Sequence, residues 1–218
     1  MREKIYTIPV NEAFDKKDGC PICALYKMLE KNELELILGA SMMERDVRAR
    51  TDEQGFCQKH LETMLTMPNK LPLALIFDTH LGSIEKRLFD KKSSPKSNDV
   101  LKIAQDCYIC NRLEGYMTQI YDTIFYLYKH ESDFRRKTEE QPFFCLSHYA
   151  ELLTRGAKTL DKKTFADFAQ ALRNVEGNYF SNLHDDVKWF VKKFDYRFID
   201  EPWGNAKDSL ERTVKALS

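Results

Sequence analysis

The chain has few residues that interrupt helices and no long apolar run. Glycine occurs 8 times and proline 7 times in 218 residues. No convincing alternation of apolar and polar residues marks a β-strand. No stretch approaches the roughly 18 consecutive apolar residues of a membrane-spanning helix. The sequence therefore predicts an all-α protein that does not enter a membrane.

The chain also lacks an excess of charge of either sign. Lys and Arg number 34, and Asp and Glu also number 34. A balanced surface offers no bulk attraction to nucleic acid or to an anionic membrane. We therefore expect neither as a partner, and a protein partner stays open. Apolar residues make up 43% of the chain, which is enough for a folded core.

No export signal is visible in the N-terminal segment. The charged residues at positions 2–4 are not followed by the apolar stretch of a secretory signal peptide. We therefore expect a cytoplasmic protein, in which thiols stay reduced. In that compartment the cysteines are available to a metal ion.

All six cysteines fall into two sets, each of which also contains one histidine. Each set is a CxxC motif followed, after 33 or 34 residues, by a CxxH motif. The first set is Cys20, Cys23, Cys57 and His60, and the second is Cys107, Cys110, Cys145 and His148. Thiolate sulfur and imidazole nitrogen suit zinc, and four such ligands complete a tetrahedron. The sequence therefore predicts two zinc ions in structural sites.

Other interpretations of the cysteines stay open. An iron–sulfur cluster uses the same kinds of ligand, and cysteines of a secreted chain form disulfides. A thioredoxin-like motif at Cys20 and Cys23 would lack its βαβ context and leave Cys57 unexplained. Buried free thiols without an ion are a further alternative, but the motif recurs, which argues against coincidence.

The two sets belong to a longer internal repeat. Cys107 and Cys110 follow Cys20 and Cys23 at an offset of 87 residues, and segment 133–141 follows the similar segment 46–54 at the same offset. The offset becomes 88 at the CxxH motifs. A fixed-period match is typical of a duplicated unit. For the polar residues shared by these segments we consider three roles. They cap a helix, they hydrogen-bond to the metal ligands, or they form a solvated helix face.

The repeat suggests how the chain is organised. We divide it into a first metal-binding repeat at residues 1–90, a polar, breaker-rich linker at 91–99 and a second repeat at 100–218. Two helices of about 16 residues each rise about 24 Å, so a helical hairpin can return CxxH to CxxC. We therefore expect two duplicated hairpin repeats, each pinned by its own Cys3His site, in one pseudo-symmetric unit. Ligation across the repeats is the alternative.

Individual helices can also be placed. A stripe in the second repeat marks a long helix: Ile109, Leu113, Met117, Ile120, Ile124 and Leu127. That helix should break near Glu131 and Ser132. In the first repeat, Ser41 and Glu44 are spaced as a capping box for a second helix. Outside the motifs, His80, His130 and His184 are expected to be ordinary surface or core residues.

Three segments together resemble a known family. They are the CPxC segment 18–23, the GFCxxH segment 55–60 and the tail 195–204. In combination they resemble an uncharacterised bacterial family, a domain of unknown function, over nearly the whole chain. The resemblance implies a soluble bacterial protein and supplies no catalytic residue. In the second repeat Tyr108 replaces the proline and Phe143 the glycine, so we expect its backbone near the ligands to differ.

No catalytic signature accompanies the metal motifs. The leading hypothesis is a non-enzymatic, zinc-stabilised scaffold or regulatory protein that binds a protein partner or a small ligand. A second hypothesis is a redox switch, in which oxidation of the thiolates releases zinc. A third is an enzyme with an unidentified site between the repeats.

Overall fold

The computed structural model describes residues 5–90 and 94–218, and every regular element in these ranges is helical. The α-helices are α1 (Thr7–Lys16), α2 (Pro21–Ile37), α3 (Arg45–Gln54), α4 (Gln58–Thr66), α5 (Lys70–Leu88), α6 (Ser97–Gln105), α7 (Tyr108–His130), α8 (Ser132–Glu139), α9 (Leu146–Thr159), α10 (Lys162–Lys192) and α11 (Ser209–Leu217). The all-α prediction is confirmed for this part of the chain. None of the described helices has both the length and the apolar character needed to cross a membrane.

Contacts divide the helices into two compact units. Unit 1 contains the described residues up to Tyr26 together with Thr118–Ser218, and unit 2 is Lys27–Met117. These boundaries fall inside α2 and α7, not at the predicted linker 91–99. Residues 91–93 of that linker lie outside the described residues, and α6 begins within it at Ser97. The predicted division of the chain into repeats at 1–90 and 100–218 therefore stays a prediction.

Aromatic side chains form the centre of unit 1. The ring of Phe14 on α1 lies 4.7 Å from that of Phe134 on α8 and 6.2 Å from that of Phe144. The ring of Phe168 on α10 lies 4.7 Å from that of Tyr128 on α7. These five side chains are at most 2% exposed. Burying such rings stabilises the fold by about 1.5–3 kcal/mol each, and the cluster also holds Phe144, which directly precedes a predicted metal ligand.

Unit 2 has a mainly aliphatic centre. Side chains from α2, α4, α5 and α7 are at most 3% exposed there, including Leu34, Ile37, Met64, Ile76 and Leu113. The guanidinium of Arg48 on α3 donates to the carbonyl of Leu75, at 3.3 Å, and to the Thr79 hydroxyl, at 3.2 Å, both on α5. This polar attachment holds α3 against α5 although α3 itself carries few apolar residues.

The apolar stripe predicted for the second repeat is confirmed. Its six residues lie along α7 and are between 0% and 7% exposed. The predicted break is confirmed too, because α7 ends at His130 and α8 begins at Ser132. The side chain of Arg135 donates to the carbonyl of Tyr128 at 2.7 Å. This bond gives a partner to one of the carbonyls that are left unpaired at the C-terminal end of α7.

The capping box predicted at Ser41 and Glu44 is wrong. Residues Ala40–Met43 form a short 3-10 turn, and α3 begins only at Arg45. Glu44 itself occupies the N-cap position and makes no side-chain capping hydrogen bond. The Ser41 side chain is buried and not at a helix start. The tight turn after α2 outweighs the local capping pattern.

A glycine ends α3 just before the first CxxH motif. Gly55 has a φ of 65°, a region that is costly for residues with a side chain. A Cβ atom there would lie 2.6 Å from Nε2 of His80. The carbonyl of Gly55 accepts from the backbone N–H of Tyr108 at 3.0 Å, which ties this segment to the start of α7. In the second repeat, Phe143 has no positive φ, so the expected difference in backbone is confirmed.

Substitution of Gly55 by alanine should destabilise the protein. We expect Gly55→Ala to lower the free energy of unfolding by about 1–3 kcal/mol for backbone strain, with a further cost from the contact with His80. Urea denaturation followed by circular dichroism measures this loss. The control is Gly82→Ala on α5, where an added Cβ meets nothing within 4 Å. That variant should gain up to about 1 kcal/mol, and equal stability of the two variants would contradict the account.

Candidate metal centres

The eight predicted ligands lie in two groups of four, and each group takes two ligands from each repeat. Site 1 consists of Cys20, Cys23, Cys145 and His148, and site 2 consists of Cys57, His60, Cys107 and Cys110. Each CxxC motif therefore meets the CxxH motif of the other repeat. The expectation that each repeat is pinned by its own four ligands is wrong, and the cross-repeat alternative is the arrangement found. Site 1 lies within unit 1 and site 2 within unit 2.

Helix lengths explain why the predicted hairpin does not close. Helix α2 has 17 residues, but the next helix, α3, has only 10. These correspond to about 25 Å and about 15 Å of rise, so α3 cannot return the chain to the start of α2. The mismatch is larger in the second repeat, where α7 has 23 residues and α8 has 8. Neither CxxH motif therefore joins the CxxC motif of its own repeat in a donor group.

All four motifs occupy the same place on a helix. The first cysteine of each lies immediately before a helix, and the second ligand is the third helical residue; the helices are α2, α4, α7 and α9. Each site is therefore built from two helix N-termini. Their unpaired N–H groups and positive dipole ends stabilise thiolates. In site 2, the N–H of Cys110 lies 3.5 Å from the Sγ of Cys107.

The donor atoms of each site are close enough to share one ion. They lie within 4.8 Å of one another in both groups. In site 1 the Sγ atoms of Cys23 and Cys145 are 3.5 Å apart, and Nδ1 of His148 lies 3.0 Å from the Sγ of Cys145. The sulfur atoms are too far apart for a disulfide, whose S–S bond is about 2.05 Å. All six cysteines are free.

In site 1 the thiols and the imidazole shift one another's pKa values. Hydrogen bonds from Cys20 and Cys23 hold the pKa of Cys145 far below its usual range, and raise that of Cys20 in return. Burial opposes protonation of His148, but its bonds with Cys145 and Cys23 outweigh burial and raise its pKa to about 9. A cation that binds here must displace that proton, which makes binding dependent on pH.

Site 2 keeps its histidine neutral instead. Burial lowers the pKa of His60, and a hydrogen bond with Glu30 opposes that only in part. Burial and the neighbouring thiols of Cys107 and Cys57 raise the pKa of Cys110 to about 12. Burial opposes ionisation of Cys57, yet hydrogen bonds from the backbone N–H of His60 and from the thiols of Cys107 and Cys110 lower its pKa. The two pKa shifts thus have opposite directions, and Cys57 ionises more readily than Cys110.

A carboxylate outside the motifs orients one ligand. Nε2 of His60 lies 3.2 Å from Oε1 of Glu30, and Nζ of Lys59 lies 2.6 Å from the same oxygen. With its Nε2 proton donated to Glu30, His60 presents Nδ1 to the three thiols. A carboxylate behind a histidine fixes its tautomer and raises its basicity as a ligand. Glu30 could not be predicted from the repeat, because Met117 stands at the matching position of the second repeat.

Several polar residues shared by the two repeats attach one helix to another or bond within their own helix. Arg48 attaches α3 to α5, and Arg135 caps α7. The Gln141 amide donates to the carbonyl of Phe14 at 2.7 Å. Thr51 and Thr138 are 1% exposed and bond to their own helices. Of the three predicted roles, capping fits the contact of Arg135, whereas the attachment of one helix to another by Arg48 was not predicted.

Two further observations concern the surroundings of the sites. The carboxyl of Glu176 on α10 is 6% exposed and accepts from the N–H of Phe144 at 2.6 Å. Burial raises its pKa to about 7. This bond fixes the backbone directly before Cys145. His80 belongs to neither site, and its Nδ1 lies 3.1 Å from the carbonyl of Asp52.

Removal of the Glu30 carboxylate should weaken site 2 alone. We expect Glu30→Ala to lower the zinc affinity of site 2 by about 10–100-fold, because His60 loses the partner that orients it. Competition with a chromogenic chelator measures both affinities. Glu35→Ala is the matched control, since Glu35 lies on the same helix and pairs with exposed Lys31, at 3.8 Å. An unchanged affinity of site 2 in Glu30→Ala would refute this role.

Comparison with known proteins places the chain in a family without assigning an activity. The model of a family of unknown function, DUF6062, matches residues 1–218. No curated protein and no solved structure matches the chain. The resemblance inferred from the CPxC, GFCxxH and tail segments is therefore confirmed at the level of the family. The chain belongs to the DUF6062 family, a family of unknown function.

Proposed function

We propose that the protein binds two zinc ions, one in each site, and that both ions are structural. The observation that carries this proposal is the convergence of three thiols and one imidazole at two places. Zinc favours this donor set and a tetrahedral arrangement. Each ion would join two helix N-termini that are far apart along the chain.

The distances between donors support a single ion in each site. Bond lengths of about 2.3 Å to sulfur and about 2.05 Å to nitrogen give tetrahedral edges of about 3.8 Å between sulfurs and about 3.6 Å from sulfur to nitrogen. The Sγ atoms of Cys57 and Cys110 are 3.8 Å apart, and Nδ1 of His60 lies 3.5 Å from the latter. A cluster of several irons and bridging sulfides needs its ligands spread more widely. These spacings therefore favour zinc over an iron–sulfur cluster.

The charge of the sites supports a structural role. Three thiolates and a neutral imidazole around Zn²⁺ give a net charge of −1, which two helix N-termini offset. Four protein ligands leave no position for water or substrate, whereas catalytic zinc keeps one open. Zinc would thus supply cross-links between helices and no reaction.

We propose a non-enzymatic scaffold or regulatory binding protein as the role of this framework, and the C-terminal tail supports a protein partner. The ammonium of Lys193, which is 7% exposed, donates to the carbonyls of Phe198, Ile199 and Glu201 at 2.5, 2.8 and 2.5 Å. These bonds fix the tail after α10. Phe194 and Tyr196 nevertheless remain 77% and 82% exposed. Exposed aromatic side chains on a fixed backbone are common at protein interfaces.

We also propose that the two repeats arose by duplication. The starts of α2 and α7 are 87 residues apart, as are those of α3 and α8, and the starts of α4 and α9 are 88 residues apart. These offsets equal the offsets of the sequence repeat. Because each motif finds its partner in the other copy, a single ancestral repeat would complete its sites only as a dimer.

Elemental analysis and cobalt substitution test this function. The purified protein should contain about two zinc ions per chain, one for each donor group. After exchange of zinc for Co²⁺, we expect the visible spectrum of tetrahedral thiolate coordination, unchanged by added azide. A spectrum that azide alters would indicate an open, catalytic site. Stoichiometric iron with a brown colour, or no bound metal, would contradict the zinc proposal itself.

A further inference from the structure

The two sites differ in the solvent exposure of their cysteine residues. In site 1, Cys20 and Cys145 are 6% and 1% exposed, and the other two ligands are half-buried. In site 2, Cys107 is 2% exposed, whereas Cys110 is an exposed residue. Cys110 is the one exposed ligand among the eight. Solvent therefore reaches one cysteine residue of site 2 in the folded protein.

A second thiol lies within reach of Cys110. The Sγ of Cys57 is 3.8 Å from the Sγ of Cys110, although 53 residues separate them in sequence. A disulfide needs the sulfurs to approach to about 2.05 Å. Cys57 is half-buried and directly precedes α4. Exposed thiolates beside a resolving cysteine are the ones most readily oxidised.

We propose that site 2 is a peroxide-sensitive metal site in which Cys110 is oxidised first and Cys57 resolves it to a disulfide. The proposal rests on the proposed function, because metal ligation is what makes both sulfurs thiolates. Site 1 keeps its ligands reduced under the same conditions. Both ions keep their structural role, and site 2 in addition responds to hydroperoxides.

The reaction balances with hydrogen peroxide as the oxidant. The thiolate of Cys110 attacks one peroxide oxygen, the O–O bond breaks, and hydroxide leaves and takes a proton to become water. Cys110 is oxidised by two electrons to a sulfenic acid, and the peroxide is reduced. The thiolate of Cys57 then attacks that sulfur, the S–O bond breaks and a second hydroxide is protonated to water. The net change is two thiolates, one peroxide and two protons to one disulfide and two waters.

Oxidation would remove half of the ligands of site 2. Only His60 and Cys107 would remain, too few to retain zinc. The new disulfide would still join the start of α4 to the start of α7. The hydrogen bond from Tyr108 to Gly55 supports the same junction. Unit 2 should therefore lose its ion without unfolding completely.

Zinc release from the full chain tests the proposal. The protein loaded with zinc is treated with hydrogen peroxide, and a chromogenic chelator records the released ion. We expect the zinc ion of site 2 to be released at least about tenfold faster than that of site 1, because an exposed thiolate is oxidised more readily than a buried one. Alkylation and mass spectrometry of the protein after the fast phase should identify a Cys57–Cys110 disulfide.

Two variants assign the phases. Cys110→Ser should lose the fast phase and keep one slowly released ion, whereas Cys23→Ser in site 1 should keep the fast phase, with circular dichroism confirming that both remain helical. Release of both ions at one rate, or a first disulfide within site 1, would overturn the proposal even though two ions are bound. A wild-type chain that binds no zinc would instead refute the proposed function, so the two failures are distinguishable.

Discussion

The structure depends on pairs of helix N-termini that meet at one set of four donors. A tetrahedral ion needs its ligands within about 4 Å of each other, and each motif supplies only two of them. Two helix starts must therefore converge at each site, and in both sites they come from different repeats. The aromatic centre of unit 1 and the attachment of α3 to α5 in unit 2 place these helices so that the donors meet.

Much of this could be predicted from the sequence, but not the pairing of the motifs. The eight donors follow from ligand chemistry and spacing, and the stripe on α7 follows from its periodicity, because both signals are local. The pairing depends on how far each chain segment travels, and α3 and α8 are too short to return to their starting points. Glu30 was missed for a related reason: its contact with His60 joins residues 30 positions apart through folding alone.

The two sites share one plan and differ in their surroundings. Site 2 has the left-handed Gly55 before its CxxH motif, the carboxylate of Glu30 behind its histidine and an exposed Cys110. Site 1 has Phe143 at the glycine position, and buried Glu176 holds the adjacent backbone. Identical donor sets can thus differ in solvent access and in proton chemistry. The two sites therefore have the same donor set in different surroundings.

Zinc content of paired cysteine variants tests the exchanged pairing most directly. Cys20→Ser combined with Cys145→Ser removes two ligands of one site, so the protein should retain about one zinc per chain. Cys20→Ser combined with Cys57→Ser removes one ligand from each site and should leave almost none. Elemental analysis of both folded proteins decides between the arrangements. The reverse result, with one zinc retained only in the second pair, would show that each repeat binds its own ion and would contradict the account.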